Sequence, residues 1–209
     1  MLKQAPAFFR AAPAILVHDP LAEFLGAADK GMIEYRYMDA VALAGHSCPT
    51  VAAAFLMTRA ALAALYPEAT PERGAVSVEW RDKRSAGVAG VMANVAMLIT
   101  GAADEGGFKG IGGRFERRGL LSFGVPLDDE ARFTRLDDGA RVEVSAHLDA
   151  VPMAATVRTL MPRCLSGNAT TAEQVEFRLL WQARVRALLL QHADDPEVIG
   201  VRVVQTAAA

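Results

Sequence analysis

The feature that most constrains the fold is an apolar stretch, Val51–Leu65, that begins two residues after a proline. Proline suits the first position of a helix, so the sequence predicts one long helix from Pro49 to about Tyr66. Apolar residues cover nearly the whole circumference of that helix. A helix without a polar face must be covered on all sides, and we therefore expect it at the centre of the protein.

A second apolar stretch, Val88–Ile99, predicts another buried helix over residues 87–100. Both stretches are shorter than the roughly 20 residues that cross a membrane, and Arg59 interrupts the first. We therefore expect no association with a membrane. Because two long apolar helices exceed what one small sheet can cover, the sequence also predicts a homodimer.

Segments that alternate apolar and polar residues predict strands around these helices. The predicted strands are Met32–Tyr37, Ala75–Trp80, Arg114–Phe123, Arg141–Ala150 and Val198–Val204. Shorter or more polar helices are predicted from Pro20 to about Ala28 with Asp19 as its cap, over Asp39–Leu43, and over Thr171–His192. The polar segment Pro126–Ala140 is assigned neither state, and Cys164 is placed in a loop. This intermixed order predicts an α+β fold, with a mixed or antiparallel sheet packed against the two long buried helices.

Composition narrows the class of protein. The chain has 209 residues, 52% of them hydrophobic and 22% charged, which fits one globular domain over residues 1–204 with a disordered tail at 205–209. A net charge of −2 argues against a nucleic-acid partner, which would favour a basic excess. Two cysteines make no disulfide framework, and Arg10 and two prolines interrupt any signal peptide. We therefore expect a cytoplasmic protein with thiols that are free or metal-bound.

The segment with the most chemical content is Gly45-His46-Ser47-Cys48-Pro49. Imidazole nitrogen and thiolate sulfur are ligands that Zn²⁺ and similar transition metals prefer. With Pro49 opening the helix, Cys48 is its cap, where the helix dipole and unpaired N–H groups stabilise a thiolate. From these residues alone a buried structural cysteine and a hydrogen-bonded histidine remain open, because metal sites usually have three or four protein ligands.

The order of these features resembles the FmdE family, named for a gene that neighbours molybdenum formylmethanofuran dehydrogenase. Its hallmark is a His-Gly-His-x-Cys-Pro-Gly segment that opens a long helix, followed by a strand with an acidic residue and a helix entering a Gly-rich loop. Here the similarity covers residues 39–123 and is carried by His46, Cys48, Glu79 and the helix before Thr100-Gly101. The resemblance implies a metal-binding α+β domain with a cleft.

This sequence departs from the family pattern at several positions. Ala44 stands in place of the first histidine, Thr50 in place of the glycine, and Gly101-Ala102-Ala103 in place of Gly-Cys-Thr. Only His46 and Cys48 therefore carry over as metal ligands. His18 is the first candidate for a third ligand, with a structural contact to the first helix as the alternative. Asp39 could supply a carboxylate or a hydrogen bond to an imidazole, or could only cap the short helix that it begins.

Two further sets of residues are candidates for contact with a substrate. The loop Glu105–Arg114 contains glycines and two cations, Lys109 and Arg114, which could hold an anionic group of a small molecule. Glu79 could act as a general base beside the metal. The sequence thus favours a zinc-binding protein and leaves open whether it is an enzyme. A metal-free enzyme with Cys48 as nucleophile and a non-catalytic small-ligand-binding protein are the alternatives.

Overall fold

The computed structural model describes residues 5–204, so the predicted tail at 205–209 lies outside the described residues. Its helices are α1 (Phe8–Ala11), α2 (Pro20–Phe24), α3 (Tyr37–Ala44), α4 (Pro49–Leu65), α5 (Ala89–Thr100), α6 (Ala155–Leu165) and α7 (Thr171–Leu190). Its strands are β1 (Ile15–His18), β2 (Met32–Tyr35), β3 (Val76–Trp80), β4 (Leu121–Phe123), β5 (Ala131–Arg135), β6 (Arg141–Ala146) and β7 (Ile199–Val204). Short 3₁₀ helices span Asp29–Gly31 and Leu148–Ala150.

Helix α4 occupies the centre, as its sequence predicts. Cys48 caps it, Pro49 is its first residue, and most of its side chains are buried. It packs against α3, α5 and α7 and against β5, β6 and β7. These neighbours cover most of α4, and its exposed residues, Ala63 and Ala64, lie in its last turns. The buried apolar residues form one cluster that extends from Phe9 to Ile199.

The strands form two sheets. Strands β1 and β2 make an antiparallel pair, and the larger sheet has the order β4-β3-β5-β6-β7. In that sheet β3 and β4 are parallel, and the other neighbours are antiparallel. A mixed sheet packed against long buried helices confirms the predicted α+β class.

Strand β5 lies in the middle of the larger sheet, although the sequence assigned no strand to Pro126–Ala140. Only two of its residues, Ala131 and Phe133, are buried in the core. Arg132 and Thr134 alternate with them on the other face. A strand with two apolar residues is too short for periodicity to distinguish it from a polar loop.

Two other predictions about local structure are wrong. The strand predicted over Arg114–Phe123 is only Leu121–Phe123, because the preceding residues turn, with Phe115 at a positive φ of 64°. Cys164 lies inside α6 rather than in a loop, and Pro162 belongs to the same helix. Helix α6 buries only Val157 and Leu160. Proline usually interrupts a helix, which is why the sequence indicates a loop next to Pro162.

Within residues 5–204, no helix combines the length and the apolar character that crossing a membrane would require. The predicted homodimer stays a prediction. Large apolar side chains are exposed on α6 and α7, at Leu165, Val175 and Leu179.

Candidate functional site at the His46 loop

The segment between α3 and α4, which we call the His46 loop (residues 45–48), is fixed by the helices at both of its ends. Gly45 ends α3 in the left-handed conformation, at φ 75°, and its N–H donates to the carbonyl of Val41. At the other end the N–H of Val51 donates to Sγ of Cys48 at 3.5 Å. Cys48 is thus the cap of α4, as predicted, and it is largely buried.

His46 is exposed, and one of its two ring nitrogens is engaged. Nδ1 lies 2.9 Å from the carbonyl oxygen of Ala44. A carbonyl only accepts, so this contact favours the tautomer that carries its proton on Nδ1. The lone pair of the neutral ring is then on Nε2, which makes no hydrogen bond with the residues that the structure describes. A backbone carbonyl that orients an imidazole in this way is the usual arrangement behind a metal-binding histidine.

Ser47 is held by α7, which lies far away in the sequence. Its hydroxyl donates to Oε1 of Gln182 at 3.0 Å and lies 2.9 Å from the hydroxyl of Tyr37. Its carbonyl accepts from Nε1 of Trp181 at 3.0 Å and from Nε2 of Gln182 at 3.2 Å. Three of these contacts hold the His46 loop against α7, and the fourth joins it to Tyr37 on α3.

Tyr37 supports the same loop from below. Its side chain is fully buried, and its ring meets Phe9 and Phe55 edge to face. Burial raises the pKa of the Tyr37 hydroxyl, so the hydroxyl keeps its proton. Because the Ser47 hydroxyl donates to Gln182, Tyr37 is the donor to Ser47. No local sequence pattern connects Ser47 with Tyr37 or Gln182, so their contacts could not be predicted.

A cavity of about 400 Å³ opens beside the loop, and we call it the His46 cleft. It is lined by Ala5, Pro6, Phe9, Val41, Gly45, His46, Ser47, Phe177, Arg178, Trp181 and Gln182. Aromatic rings and a few polar groups on a cavity of this size are typical of small-molecule sites. Cys48 does not line it, since its sulfur lies in the core beneath the loop.

His18, the predicted third ligand, lies elsewhere. Its Nε2 is 2.8 Å from Oε2 of Glu23, and its Nδ1 is 4.0 Å from Oε2 of Glu72. Asp39 accepts a hydrogen bond from the N–H of Arg36 and so caps α3. Among residues 5–204, no three or more histidine, cysteine, aspartate or glutamate side chains are grouped to hold a metal ion. The structure therefore does not bring His18 to His46 and Cys48.

Glu79 lies on the face of the larger sheet that points away from the core. Its neighbours Val78 and Trp80 are buried, so alternation places Glu79 on the opposite face. There it accepts from Nε of Arg132 at 2.7 Å, directly across from it on β5. This hydrogen bond is the largest of the effects that raise the pKa of Arg132. Glu79 does not line the His46 cleft, and the structure does not support its predicted role as a base there.

The Glu79 pair continues as a row of alternating charges across four strands, which we call the outer-face ladder. Its members are directly opposite one another in register: Glu79, Arg132, Glu143 and Arg202. Nη2 of Arg202 lies 2.6 Å from Oε2 of Glu143, and Nη1 of Arg132 lies 3.8 Å from Oε1 of Glu143. Opposite charges at facing positions stabilise a sheet, which gives Glu79 a structural role.

We expect Glu79→Gln to affect stability and not the His46 loop. The free energy of unfolding should fall by about 1 kcal/mol or less, since Glu143 still pairs with Arg132. Urea unfolding measures the first effect, and metal analysis of the same sample measures the second. If Glu79→Gln abolished metal binding or a metal-dependent activity, the role of Glu79 would not be limited to stabilising the sheet.

The predicted anion-binding residues are separated by the structure. Arg114 lines a second cavity of about 450 Å³, but Lys109 is exposed and does not line it. Two other arginines, Arg73 and Arg117, line that cavity in its place. Sequence analysis missed both because neither belongs to the Gly-rich segment that indicated the site.

Comparison with known proteins adds no constraint on this site. No protein-family model matches the chain, and a search of curated proteins finds no match. The resemblance to the FmdE family therefore stays a prediction.

Proposed function

We propose that this protein binds a transition metal ion, preferably Zn²⁺, through Nε2 of His46 and Sγ of Cys48. The observation that carries the proposal is the hydrogen bond between Nδ1 of His46 and the carbonyl of Ala44, because it leaves the lone pair on Nε2. Cys48 is the cap of α4, where the N–H of Val51 supports negative charge on sulfur. Both donor types suit zinc.

The donor set is small, and this shapes the proposed role. Two protein ligands leave the other positions of a four-coordinate zinc to water or to a bound molecule. The His46 cleft provides space for such a molecule beside the loop. Ser47, Tyr37, Trp181 and Gln182 would act by holding the loop in place rather than by contacting the metal. When bound, the ion would polarise an oxygen of that molecule or of water.

A metal-free binding protein is the second candidate, and one observation favours it. Cys48 does not line the cleft, while Phe9, Phe177 and Trp181 do. An apolar, aromatic cavity can hold a small organic molecule without metal. The remaining alternative is Cys48 as a nucleophile. Like the metal proposal, it requires the largely buried sulfur to become accessible.

Metal analysis of untagged protein tests the leading proposal. We expect about one zinc per chain, which His46→Ala and Cys48→Ala each remove. Loss of a ligand's supporting partner alone costs about 10–100-fold in metal affinity, so loss of the ligand should cost more. His192→Ala and Cys164→Ala are matched controls, since His192 pairs with Asp195 and Cys164 lies in α6. Metal content near zero, or unchanged in both site variants, would contradict the proposal.

Alkylation kinetics separate a metal-bound sulfur from one that is only buried. If Cys48 binds metal, removing the metal with a chelator should speed its alkylation, while Cys164 reacts at the same rate before and after. If burial alone protects Cys48, the chelator should change neither rate. Cys48 and Cys164 are both free thiols, so each can be followed by mass spectrometry of its own peptide.

A further inference from the structure

The second cavity, which we call the Arg117 pocket, contains three guanidinium groups. It has a volume of about 450 Å³ and is lined by Arg73, Arg114 and Arg117 together with Gly74 and two glutamates. It shares no lining residue with the His46 cleft. The pocket therefore does not depend on the metal-binding function proposed above.

Two of the three arginines, Arg73 and Arg117, share one buried carboxylate, that of Asp19. Nη1 of Arg73 donates to Oδ2 of Asp19 at 2.9 Å, and Nη2 of Arg117 donates to Oδ1 of the same residue at 2.9 Å. Arg73 gains a further acceptor, the carbonyl of Leu98 near the end of α5. Within residues 5–204 the guanidinium group of Arg117 has no partner besides Asp19, and its Nε is buried without a hydrogen bond. Arg73 and Arg117 together carry one more positive charge than the single carboxylate that both of them contact.

The burial of Arg117 makes this excess charge costly. Its side chain is 6% exposed, and burial is the largest effect that lowers the pKa of Arg117. The charge of Arg73 adds to this shift, and the charges of Asp19 and Glu72 oppose it. A buried cation of this kind is stabilised by a second anion. Arg117 is one of the residues that line the pocket, although its Nε is itself buried.

Gly74 is needed for this arrangement. A Cβ atom there would lie 1.2 Å from Nη1 of Arg117, and φ at this residue is +91°, where side chains are strained. The absence of a side chain lets the guanidinium group lie directly against the backbone at the wall of the pocket. The chain is thus adapted to hold Arg117 in this position.

In the part of the chain that the structure describes, neither glutamate of the pocket forms an ion pair with its three arginines, although the charge of Glu72 acts on Arg117 from a distance. Glu116 accepts from Nη2 of Arg118 at 2.6 Å, outside the pocket, and Glu72 is 4.0 Å from His18. Arg114 stacks on the ring of Phe115 at 4.6 Å and forms no ion pair among residues 5–204. Arg114 therefore remains able to pair with an anion from solution.

We propose that the Arg117 pocket binds the oxyanion of a small molecule, a carboxylate or a phosphate, through Arg117 and Arg114. The planar guanidinium group presents paired N–H donors that match the oxygens of both anions. The volume of the pocket exceeds that of either group alone and falls within the range of small-molecule sites. The bound oxyanion would give Arg117 a second negative partner in addition to Asp19.

Calorimetric titration with inorganic phosphate and with succinate, at constant ionic strength, tests this proposal and distinguishes the two anions. We expect saturable binding of at least one of them at one site per chain. Arg114→Gln, a change at an exposed residue, should weaken binding roughly tenfold through loss of a charge-assisted hydrogen bond. Arg117→Lys should weaken it as well, because the charge remains but the fork of donors is lost.

Two further variants make the test specific. Lys109→Gln removes the same charge from an exposed residue of the same loop and should leave the affinity unchanged. Glu116→Gln removes a negative charge from the pocket and should strengthen binding. Absence of saturable binding with both anions, or an equal loss in Lys109→Gln and Arg114→Gln, would overturn the proposal.

Discussion

Asp19→Ala should lower the free energy of unfolding by roughly 3–5 kcal/mol, the usual cost of removing one partner from a buried ion pair. Asp19 is 3% exposed and pairs with both Arg73 and Arg117, so its loss leaves two guanidinium groups without a carboxylate. The same carboxylate accepts from the N–H groups of Leu21 and Ala22 as the cap of α2, which adds about 1 kcal/mol. Urea unfolding at neutral pH measures the total.

Asp137→Ala is the matched control, since it removes a carboxylate that pairs with an arginine at the surface. The Asp137 side chain is 58% exposed, so its pair with Arg135 should contribute less than about 1 kcal/mol. Asp19→Asn keeps the cap but not the charge, and its loss of stability should fall between the two. A cost for Asp19→Ala no larger than for Asp137→Ala would mean that the buried pairs contribute little.

The same residue should make stability depend on pH in the acid range. Burial alone would raise the pKa of Asp19, but the hydrogen bond from Arg73, the charge of Arg117 and the N–H groups of Ala22 and Leu21 outweigh it and lower the pKa below 3.8. The unfolded chain then binds the proton more readily, so stability falls as the pH drops below about 4 towards the folded pKa. The fall should be shallower in Asp19→Asn.

The parts of the fold that depend on local sequence could be predicted. The central position of α4 follows from its apolar circumference, and the caps at Asp19 and Cys48 follow from the proline after each. Strand β5 and helix α6 could not be predicted, because each buries only two side chains. Phe115 shows the opposite failure, since a turn at its positive φ delays the strand predicted from residue 114 until Leu121.

In the candidate site, too, the features that depend on local sequence could be predicted and those that depend on distant residues could not. The chemistry of the His46 loop is local, and the sequence indicated both of its proposed ligands. Its support is not local, because Ser47 and Gln182 are 135 residues apart in the sequence. Asp19 is separated in the sequence by 54 positions from Arg73 and by 98 positions from Arg117. Only the folded chain therefore shows that the two arginines share its carboxylate.

Phe55→Ala should also lower the free energy of unfolding by roughly 3–5 kcal/mol, the range for a buried phenylalanine. Phe55 lies in the middle of α4 and is completely buried, so truncation leaves a cavity that the surrounding helices and strands cannot easily fill. Phe24→Ala is the control, because Phe24 is 60% exposed and should contribute no more than about 1 kcal/mol. Urea unfolding compares the two variants.

The position of this cavity gives Phe55→Ala a second effect, on the His46 loop. The ring of Phe55 lies 5.9 Å from that of Tyr37, whose hydroxyl bonds to Ser47. Without Phe55 the Tyr37 ring gains room to move, and the loop loses part of the support that orients His46. The hydrogen-bonded amides at the two ends of the loop include those of Gly45 and Val51. In Phe55→Ala their hydrogen exchange should accelerate more than that of the amides in β6. Equal acceleration in both places would mean that Tyr37 does not transmit packing in the core to the loop.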